Sequence, residues 1–191
     1  MVLKWHMTYG PLTRWRRAMV ILGLSVTLVS ACGRGDAATG AANESLGLLV
    51  IAAGERTVAP AINGAALTGG SISLTDYQGK LVVLNAFASW CTPCQRELPV
   101  LVAAAKAYPN VQFLGLDVKD DDEAARGFLA AEGATYPVIK DPNGELLNQF
   151  TMNPTSGLPV TFFIDEQGRL AGRILGEVTA ENLVIAIDSL G

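Results

Sequence analysis

The sequence has little histidine, little cysteine and no excess of positive charge. It contains one histidine, His6, and three cysteines in 191 residues. With 14 basic and 18 acidic residues its net charge is −4, which argues against a nucleic-acid binder because such proteins need a basic face. Half of the residues are hydrophobic, so a disordered chain is excluded and one domain with a short extension is expected.

The chain also lacks an apolar run of the roughly 20 residues that span a bilayer. Its N-terminal apolar stretch, Ala18–Val29, is shorter and follows basic residues with no acid among them: Lys4, Arg14, Arg16 and Arg17. This pattern predicts a secretory signal peptide. Two alternatives remain open, an uncleaved membrane anchor and twin-arginine export directed by Arg16-Arg17.

The signal peptide ends in Val29-Ser30-Ala31-Cys32, which resembles a bacterial lipobox. In such a sequence the cysteine receives a diacylglycerol group and becomes the first residue of the mature protein. We therefore expect residues 1–31 to be removed, Cys32 to be lipidated and 32–55 to form a flexible tether rich in Gly, Ala, Ser and Asn. Cleavage would also remove His6 and leave Cys91 and Cys94 as the remaining thiols.

The domain is expected over 56–191, beginning with a small β-hairpin within 56–80. Apolar runs and turn residues then predict an α/β sheet with an antiparallel edge pair. The predicted strands are 81–87, 111–118, 136–139, 160–164 and 169–175. The predicted helices are 97–107, 122–132, a brief one at 145–150 and a closing helix at 179–190 with Thr179 as N-cap.

Cys91-Thr92-Pro93-Cys94 lies where a buried strand ends and a helix begins. A helix N-terminus lowers the pKa of a cysteine thiol because its free N–H groups stabilise the thiolate. We expect Cys91 on the open side of the turn as the nucleophile and a shielded Cys94 as the resolving cysteine. Half of a zinc site is the alternative, but it lacks a second ligand pair and any mature histidine.

Phe87-Ala88-Ser89-Trp90-Cys91-Thr92-Pro93-Cys94 resembles the active-site segment of the thioredoxin superfamily. Gly157–Asp165 is similar to the cis-proline loop and strand of that superfamily, and Leu74–Lys80 to the lead-in to its first central strand. Within the superfamily, the chain resembles the extracytoplasmic TlpA/ResA/DsbE-like oxidoreductases. The resemblance implies a thioredoxin fold with an N-terminal β-hairpin and a helix/strand insertion before the cis-proline loop.

The resemblance also implies roles for individual residues. Pro159 would be the cis-proline facing the redox pair, with the Leu158 backbone and Trp90 contacting substrate; a simple strand-start proline is the alternative. Pro99 would shape the helix. Thioredoxins proper carry a buried acid at the position of Asn85 that takes the proton of the second cysteine, and this chain departs from them there.

Glu97 matches a glutamate that ResA-like proteins keep near the active site, and it is a candidate proton acceptor. The alternative is an exposed glutamate in the first turn that complements the helix dipole.

The acidic run Asp120–Glu123 lacks the ligand spacing and glycine of a calcium loop, so a solvated helix cap is expected. No metal and no cofactor besides the Cys91–Cys94 disulfide are expected.

The resemblance implies an exported, lipid-anchored, monomeric enzyme on the extracytoplasmic face of a bacterial membrane. It would reduce disulfides of exported proteins, apocytochrome c among the possible clients, and would receive electrons from a membrane partner of the DsbD/CcdA type.

Oxidation of folding proteins is the alternative direction, because Thr92-Pro93 does not determine a reduction potential. A copper-delivery protein of related fold would have CxxxC and a histidine. A peroxidase would have a lone cysteine framed by threonine and arginine, whereas Arg96 follows the pair. A c-type haem site would require histidine where Gln95 stands.

Overall fold

The computed structural model describes residues 47–153 and 157–191. The predicted signal peptide, Cys32 and most of the predicted tether lie outside the described residues. The described residues form these strands: β1 Leu48–Val50, β2 Thr57–Val58, β3 Asn63–Ala65, β4 Ser71–Ser73, β5 Val82–Phe87, β6 Gln112–Val118, β7 Val138–Asp141, β8 Val160–Ile164 and β9 Arg169–Leu175. Their helices are α1 Thr92–Ala107, α2 Asp122–Ala131 and α3 Ala180–Leu190, with 3₁₀ turns at Leu74–Tyr77 and Leu147–Gln149.

The main sheet has seven strands. Its order is β1-β9-β8-β5-β6-β7, and β2 also pairs with β9. β5, β6 and β7 run parallel, whereas β8 is antiparallel to β5, and β9 is antiparallel to β8, β1 and β2. β3 and β4 form the predicted hairpin, and α2 with β7 form the predicted insertion between β6 and the proline loop. The fold class predicted from the sequence is confirmed.

The core lies on both faces of the sheet because successive side chains of a strand point to opposite sides. In β5, Val82, Leu84 and Ala86 pack against the N-terminal segment and the Leu147–Gln149 turn. Val83 and Phe87 point to the other face, where α1, α2 and α3 supply the partners. Asn85 points to that helix-covered face as well, because it lies between Val83 and Phe87.

The domain begins earlier than the predicted boundary at residue 56. Leu48–Val50 pairs antiparallel with β9, and Leu48 is completely buried beside α3. The approach of the two strands is close, since a Cβ on Gly172 would lie 2.5 Å from the carbonyl oxygen of Leu49. The apolar run Leu48–Ala53 is short and follows a stretch rich in Gly, Ala, Ser and Asn, so the prediction placed this segment in the tether.

Two helices differ in extent from the prediction. α1 begins at Thr92 instead of residue 97 and continues through Pro99. The predicted helix at 145–150 is only a 3₁₀ turn, Leu147–Gln149. The N-cap of α3 is Thr179, as predicted, with its hydroxyl accepting the N–H of Asn182 at 3.2 Å. No helix in the described part of the chain has the length and apolarity needed to cross a bilayer.

Pairing of β1 with β9 should contribute measurably to stability. Leu48→Ala would leave a cavity among Ile174, Leu183 and their neighbours, and large-to-small changes of this kind cost about 2–5 kcal/mol. Leu49→Ala is the matched control because Leu49 is only partly buried. Urea denaturation of both variants measures the difference. Equal and small decreases in the free energy of unfolding for the two variants would indicate that residues 48–50 belong to the tether and not to the domain.

Candidate active site

The two cysteines form a disulfide at the N-terminus of α1. Their sulfur atoms are 2.12 Å apart, and Cys91 is the N-cap residue, its Sγ accepting the backbone N–H of Cys94 at 3.3 Å. Pro93 lies in the first helical turn, where a missing N–H leaves no bond unmade. Both cysteines are buried, Cys91 at 5% exposure and Cys94 at 1%. Cys91 is thus less open than the sequence analysis expected, although it remains the more accessible of the two.

The segment before Cys91 is held by the loop that follows β6. The backbone N–H and the hydroxyl of Ser89 both donate to the carboxylate of Asp120. The indole N–H of Trp90 donates to the Lys119 carbonyl at 3.1 Å, while 61% of Trp90 stays exposed. The ring is therefore fixed in orientation and presents its surface to solvent beside the disulfide.

The proline loop packs against the redox pair. The Leu158–Pro159 bond is cis, and Pro159 is buried. Leu158 contacts the apolar cluster that contains both Cys91 and Cys94. A cavity of about 250 Å³ adjoins the loop, lined by Trp90, Val118, Lys119, Gly144, Leu147, Asn148, Gly157 and Leu158. The structure thus places Leu158, the residue before Pro159, against the cluster of both cysteines, and places Trp90 and Leu158 on one cavity.

Glu97 is buried beneath α1, with 1% of its surface exposed. Its Oε1 accepts a hydrogen bond from Asn85 Nδ2 at 2.8 Å, and its Oε2 accepts the N–H of Val178 at 2.7 Å. Asn85 Nδ2 also donates to Thr161 Oγ1 at 3.1 Å, because the strand register places these two residues opposite each other. The interpretation of Glu97 as an exposed first-turn residue is therefore wrong.

Burial raises the pKa of Glu97 to about 7, even though its two hydrogen bonds favour the ionised form. The negative charge of Glu177 adds to the increase. Tyr136 also lies in the apolar clusters below α1, and its pKa is raised by burial and by the charge of Glu97. A carboxyl group with a pKa near neutrality, one helical turn from Cys94, is able both to accept and to return a proton.

A second buried acid with a raised pKa, Asp117, was not predicted from the sequence. It lies on β6 opposite Phe87 of β5, and burial followed by the charge of Asp120 raises its pKa to about 7. Its Oδ1 has no hydrogen-bond partner among the described residues. The sequence does show Asp117 as a single acidic residue within the apolar run of β6, and this pattern could have indicated a buried acid. Asp117 therefore supplies a second proton-binding group, on the side of the loop that holds Ser89.

The acidic run after β6 caps a helix. Asp121 is the N-cap of α2, and its Oδ1 accepts the N–H groups of Glu123 and Ala124 at 2.9 and 3.1 Å. Asp122 pairs with Lys140 at 2.9 Å. Within residues 47–153 and 157–191, no group of acidic, cysteine and histidine side chains has an arrangement that would hold a metal ion.

Arg96 is bound to Glu177 and does not frame Cys91 as a peroxidase arginine would. Its Nε and Nη2 lie 2.7 and 2.6 Å from Glu177 Oε2. This pair bridges the second turn of α1 and the loop between β9 and α3.

The chain matches the AhpC/TSA family over residues 56–173. It is 34% identical over 119 residues to the thiol-disulfide oxidoreductase ResA of Bacillus thuringiensis subsp. konkukian, an alignment covering 61% of this chain and 67% of the relative.

Two solved structures are similar to it. A DsbF homologue from Corynebacterium diphtheriae is 38% identical, with a TM-score of 0.71 over 75% of this chain and 93% of that one. A secreted thiol-disulfide isomerase from Corynebacterium glutamicum is 30% identical, with a TM-score of 0.68 over 75% and 91%.

Glu97→Gln should change how stability depends on pH. The pKa of Glu97 is raised in the folded state, from 4.5 to about 7, so the folded protein binds the extra proton and loses stability as pH rises through that window. The variant should lack this loss, which is on the order of 3 kcal/mol between pH 4 and pH 8. Urea denaturation at both pH values measures it. Glu123→Gln, an exposed first-turn glutamate of α2, is the control, and equal pH dependence in the two variants would contradict the buried ionisation.

Proposed function

The chain belongs to the AhpC/TSA family and is a thiol–disulfide oxidoreductase of the TlpA/ResA/DsbE type, and on this premise we propose that it reduces disulfides of exported proteins with its Cys91–Cys94 dithiol. The observation that carries the proposal is the pairing of a cysteine at a helix N-terminus with a buried carboxyl group one turn beyond the second cysteine. No cofactor besides this disulfide takes part.

The reaction begins with attack of the Cys91 thiolate on one sulfur of a client disulfide. The client S–S bond breaks, a Cys91–client mixed disulfide forms, and one client thiolate leaves. Glu97 then accepts the proton of Cys94, whose thiolate attacks Cys91 Sγ and expels the second client thiolate. Two electrons pass to the client, and the enzyme is left with the Cys91–Cys94 disulfide.

Substrate would lie between Trp90 and the proline loop. An extended client segment pairs with the Leu158 backbone as an added strand, and Pro159 keeps that backbone turned toward the cysteines. The half-buried side chain of Leu158, in contact with the cluster around both cysteines, supports this arrangement. The exposed ring of Trp90 supplies an apolar surface for the residues flanking the client disulfide.

The reducing direction has electrostatic support. A strongly oxidising dithiol protein owes its potential to a stabilised thiolate in the reduced form. Here an ionised Glu97 near Cys94 opposes thiolate formation, because like charges in a buried site repel. A reductase of this kind requires a donor of two electrons, which we assign to a membrane partner of the DsbD/CcdA type, and apocytochrome c is a candidate client.

Export and anchoring complete the proposal. The relative from Corynebacterium glutamicum is described as secreted, which supports an extracytoplasmic location for this chain. The lipobox-like Val29–Cys32 supports attachment through a lipid on Cys32, with the following residues as a tether.

Cys94→Ser should trap clients. Attack by Cys91 remains possible, but resolution is blocked, so mixed disulfides should accumulate and be released by dithiothreitol. Cys91→Ser is the matched control and should trap far less. Non-reducing gels followed by mass spectrometry identify the cross-linked cysteine and the clients. Trapping by Cys91→Ser alone would reverse the two assigned roles.

The reduction potential of the Cys91–Cys94 pair should be nearer to the value of about −270 mV known for thioredoxin than to about −120 mV for DsbA. The charge of Glu97 is the physical reason, since it disfavours the thiolate form. Equilibration with dithiothreitol or glutathione buffers measures it. A DsbA-like value would assign the protein to oxidation of folding clients.

The membrane-bound protein should begin at a diacylated Cys32. Mass spectrometry of the N-terminal peptide checks this, and Cys32→Ala should abolish the modification and release the protein from the membrane. An unmodified Cys32 in the wild type, or residues 1–31 still attached, would contradict lipid anchoring.

A further inference from the structure

Three successive residues between β9 and α3, Gly176–Val178, contact two parts of the site, the proline loop and α1; we name this segment the clasp loop. The first contact joins it to the proline loop, where the N–H of Gly176 donates to the carbonyl of Pro159 at 3.1 Å. Gly176 has a φ of +80°, a backbone conformation that favours glycine. The clasp loop thus supports the segment that receives substrate.

The other two contacts join the clasp loop to α1. Val178 donates its N–H to the carboxylate of Glu97, and Glu177 accepts a hydrogen bond from Arg96 Nε and forms an ion pair with Arg96 Nη2. Arg96 and Glu97 are adjacent in the first turns of α1. The clasp loop therefore holds one side of the helix through an outer ion pair and an inner hydrogen bond, and the proline loop through its first residue.

The inner end of the clasp loop is fixed by packing, whereas its outer end is fixed by charge. Val178 is buried in the cluster formed with Leu101 and Leu183. Glu177 is only half-buried, and Arg96 is exposed. An isolated surface pair contributes little to stability, about 0–1 kcal/mol. The position of the Arg96–Glu177 pair is more important than its strength. The pair restrains the Glu177–Val178 peptide bond, whose N–H donates to the buried carboxylate of Glu97.

The hydrogen-bond donors and the charged or titratable groups around Glu97 come from several elements. Asn85 of β5 donates to it, and Tyr136, before β7, is buried in the same clusters. The clasp loop contributes a stabilising N–H from Val178 and a destabilising charge from Glu177. Glu177 is itself paired with Arg96 of α1.

We propose that Arg96 and Glu177 are positioning residues whose ion pair keeps the clasp loop against α1, and so couples the ionisation of Glu97 to the proline loop. This inference rests on the proposed function, in which Glu97 accepts the proton of Cys94. Neither residue touches the client. Their effect passes through the Val178 N–H to the acid and through the Gly176 N–H to Pro159.

Loss of the Arg96–Glu177 ion pair should change the pKa of Glu97 in a defined direction. In Arg96→Gln the charge of Glu177 is no longer offset, and the Val178 N–H is less firmly held. Both changes disfavour an ionised Glu97 and raise its pKa. The acid then accepts the Cys94 proton only at higher pH, so resolution of the mixed disulfide slows at neutral pH while attack by Cys91 changes less.

The test uses the full chain, purified in detergent and reduced, with dithiobis(nitrobenzoate) as the client. The first coloured thiolate released reports attack by Cys91, and the second reports resolution by Cys94. In the wild type the second phase should have a midpoint near pH 7, the pKa of Glu97. In Arg96→Gln the midpoint should rise by up to about one pH unit, which slows that phase by up to about fivefold at pH 7.

The controls separate charge from position. Lys106→Gln removes the same charge from an exposed site in the last turn of α1 and should leave the profile unchanged. The exchanged pair Arg96→Glu with Glu177→Arg should restore the midpoint to the wild-type value or below it. Hydrogen exchange at the Gly176 and Val178 amides should quicken in Arg96→Gln and return to the wild-type rate in the exchanged pair.

Two outcomes would overturn the inference. One is an Arg96→Gln midpoint equal to that of Lys106→Gln, and the other is an exchanged pair that behaves like the single variant. Glu97→Gln distinguishes this failure from failure of the proposed function. If that variant keeps the wild-type midpoint, Glu97 is not the proton acceptor. If it loses the midpoint while Arg96→Gln leaves it in place, only the clasp-loop inference fails.

Discussion

Burial of the Glu97 carboxyl group under α1 constrains much of the structure around the redox pair. A carboxyl group in an apolar interior is tolerated only when donors reach its oxygens, because transfer from water without hydrogen bonds costs several kcal/mol. One donor is the Asn85 amide on the central strand, and the other is the Val178 N–H at the start of α3. The register of the sheet and the turn after β9 therefore each position a hydrogen-bond donor to the Glu97 carboxylate.

The two cysteines experience different electrostatic surroundings as a result. Cys91 is at the helix N-terminus, where the N–H of Cys94 points at its sulfur and favours a thiolate. Cys94 lies one turn from an acid that ionises near neutral pH. In the proposed reaction the first environment suits the attacking cysteine, and the second suits a resolving cysteine that gives its proton to a nearby base. This difference matches the order of attack and resolution in the proposed reaction.

The opposite side of the active-site loop is organised around acids as well. Asp120 holds the Ser89 backbone and hydroxyl, and buried Asp117 adjoins Asp120. Lys119, whose carbonyl receives the Trp90 indole N–H, has a φ of +52°, an uncommon conformation for a residue other than glycine. The orientation of Trp90 thus depends on the geometry of the β6–α2 loop, which lies far from Trp90 in sequence.

Local patterns in the sequence determined the redox centre and the order of the elements. Cys91-Thr92-Pro93-Cys94 after a buried strand is a short-range signal, and the apolar runs of β5, β6 and β8 are long enough to be recognised by periodicity. The fold and the proximity of Pro159 to the cysteines followed from motif resemblance. The three-residue strand β1 was missed because its partner β9 is distant in sequence, whereas the early start of α1 is a local feature with Cys91 as N-cap.

Only the tertiary structure decided what surrounds Glu97. Asn85 and Val178 donate hydrogen bonds to it, and the charge of Glu177 acts on it, from positions up to 81 residues away, so no short window of sequence contains the set. The same holds for Asp117. In the sequence it is one polar residue in a strand, and only the fold shows that it is buried close to Asp120. Residue types and their spacing define which chemistry is available. The pKa of a buried acid is set by its burial and by the hydrogen-bond donors that the fold brings to it, because the solvation of the acid depends on every element packed around that acid.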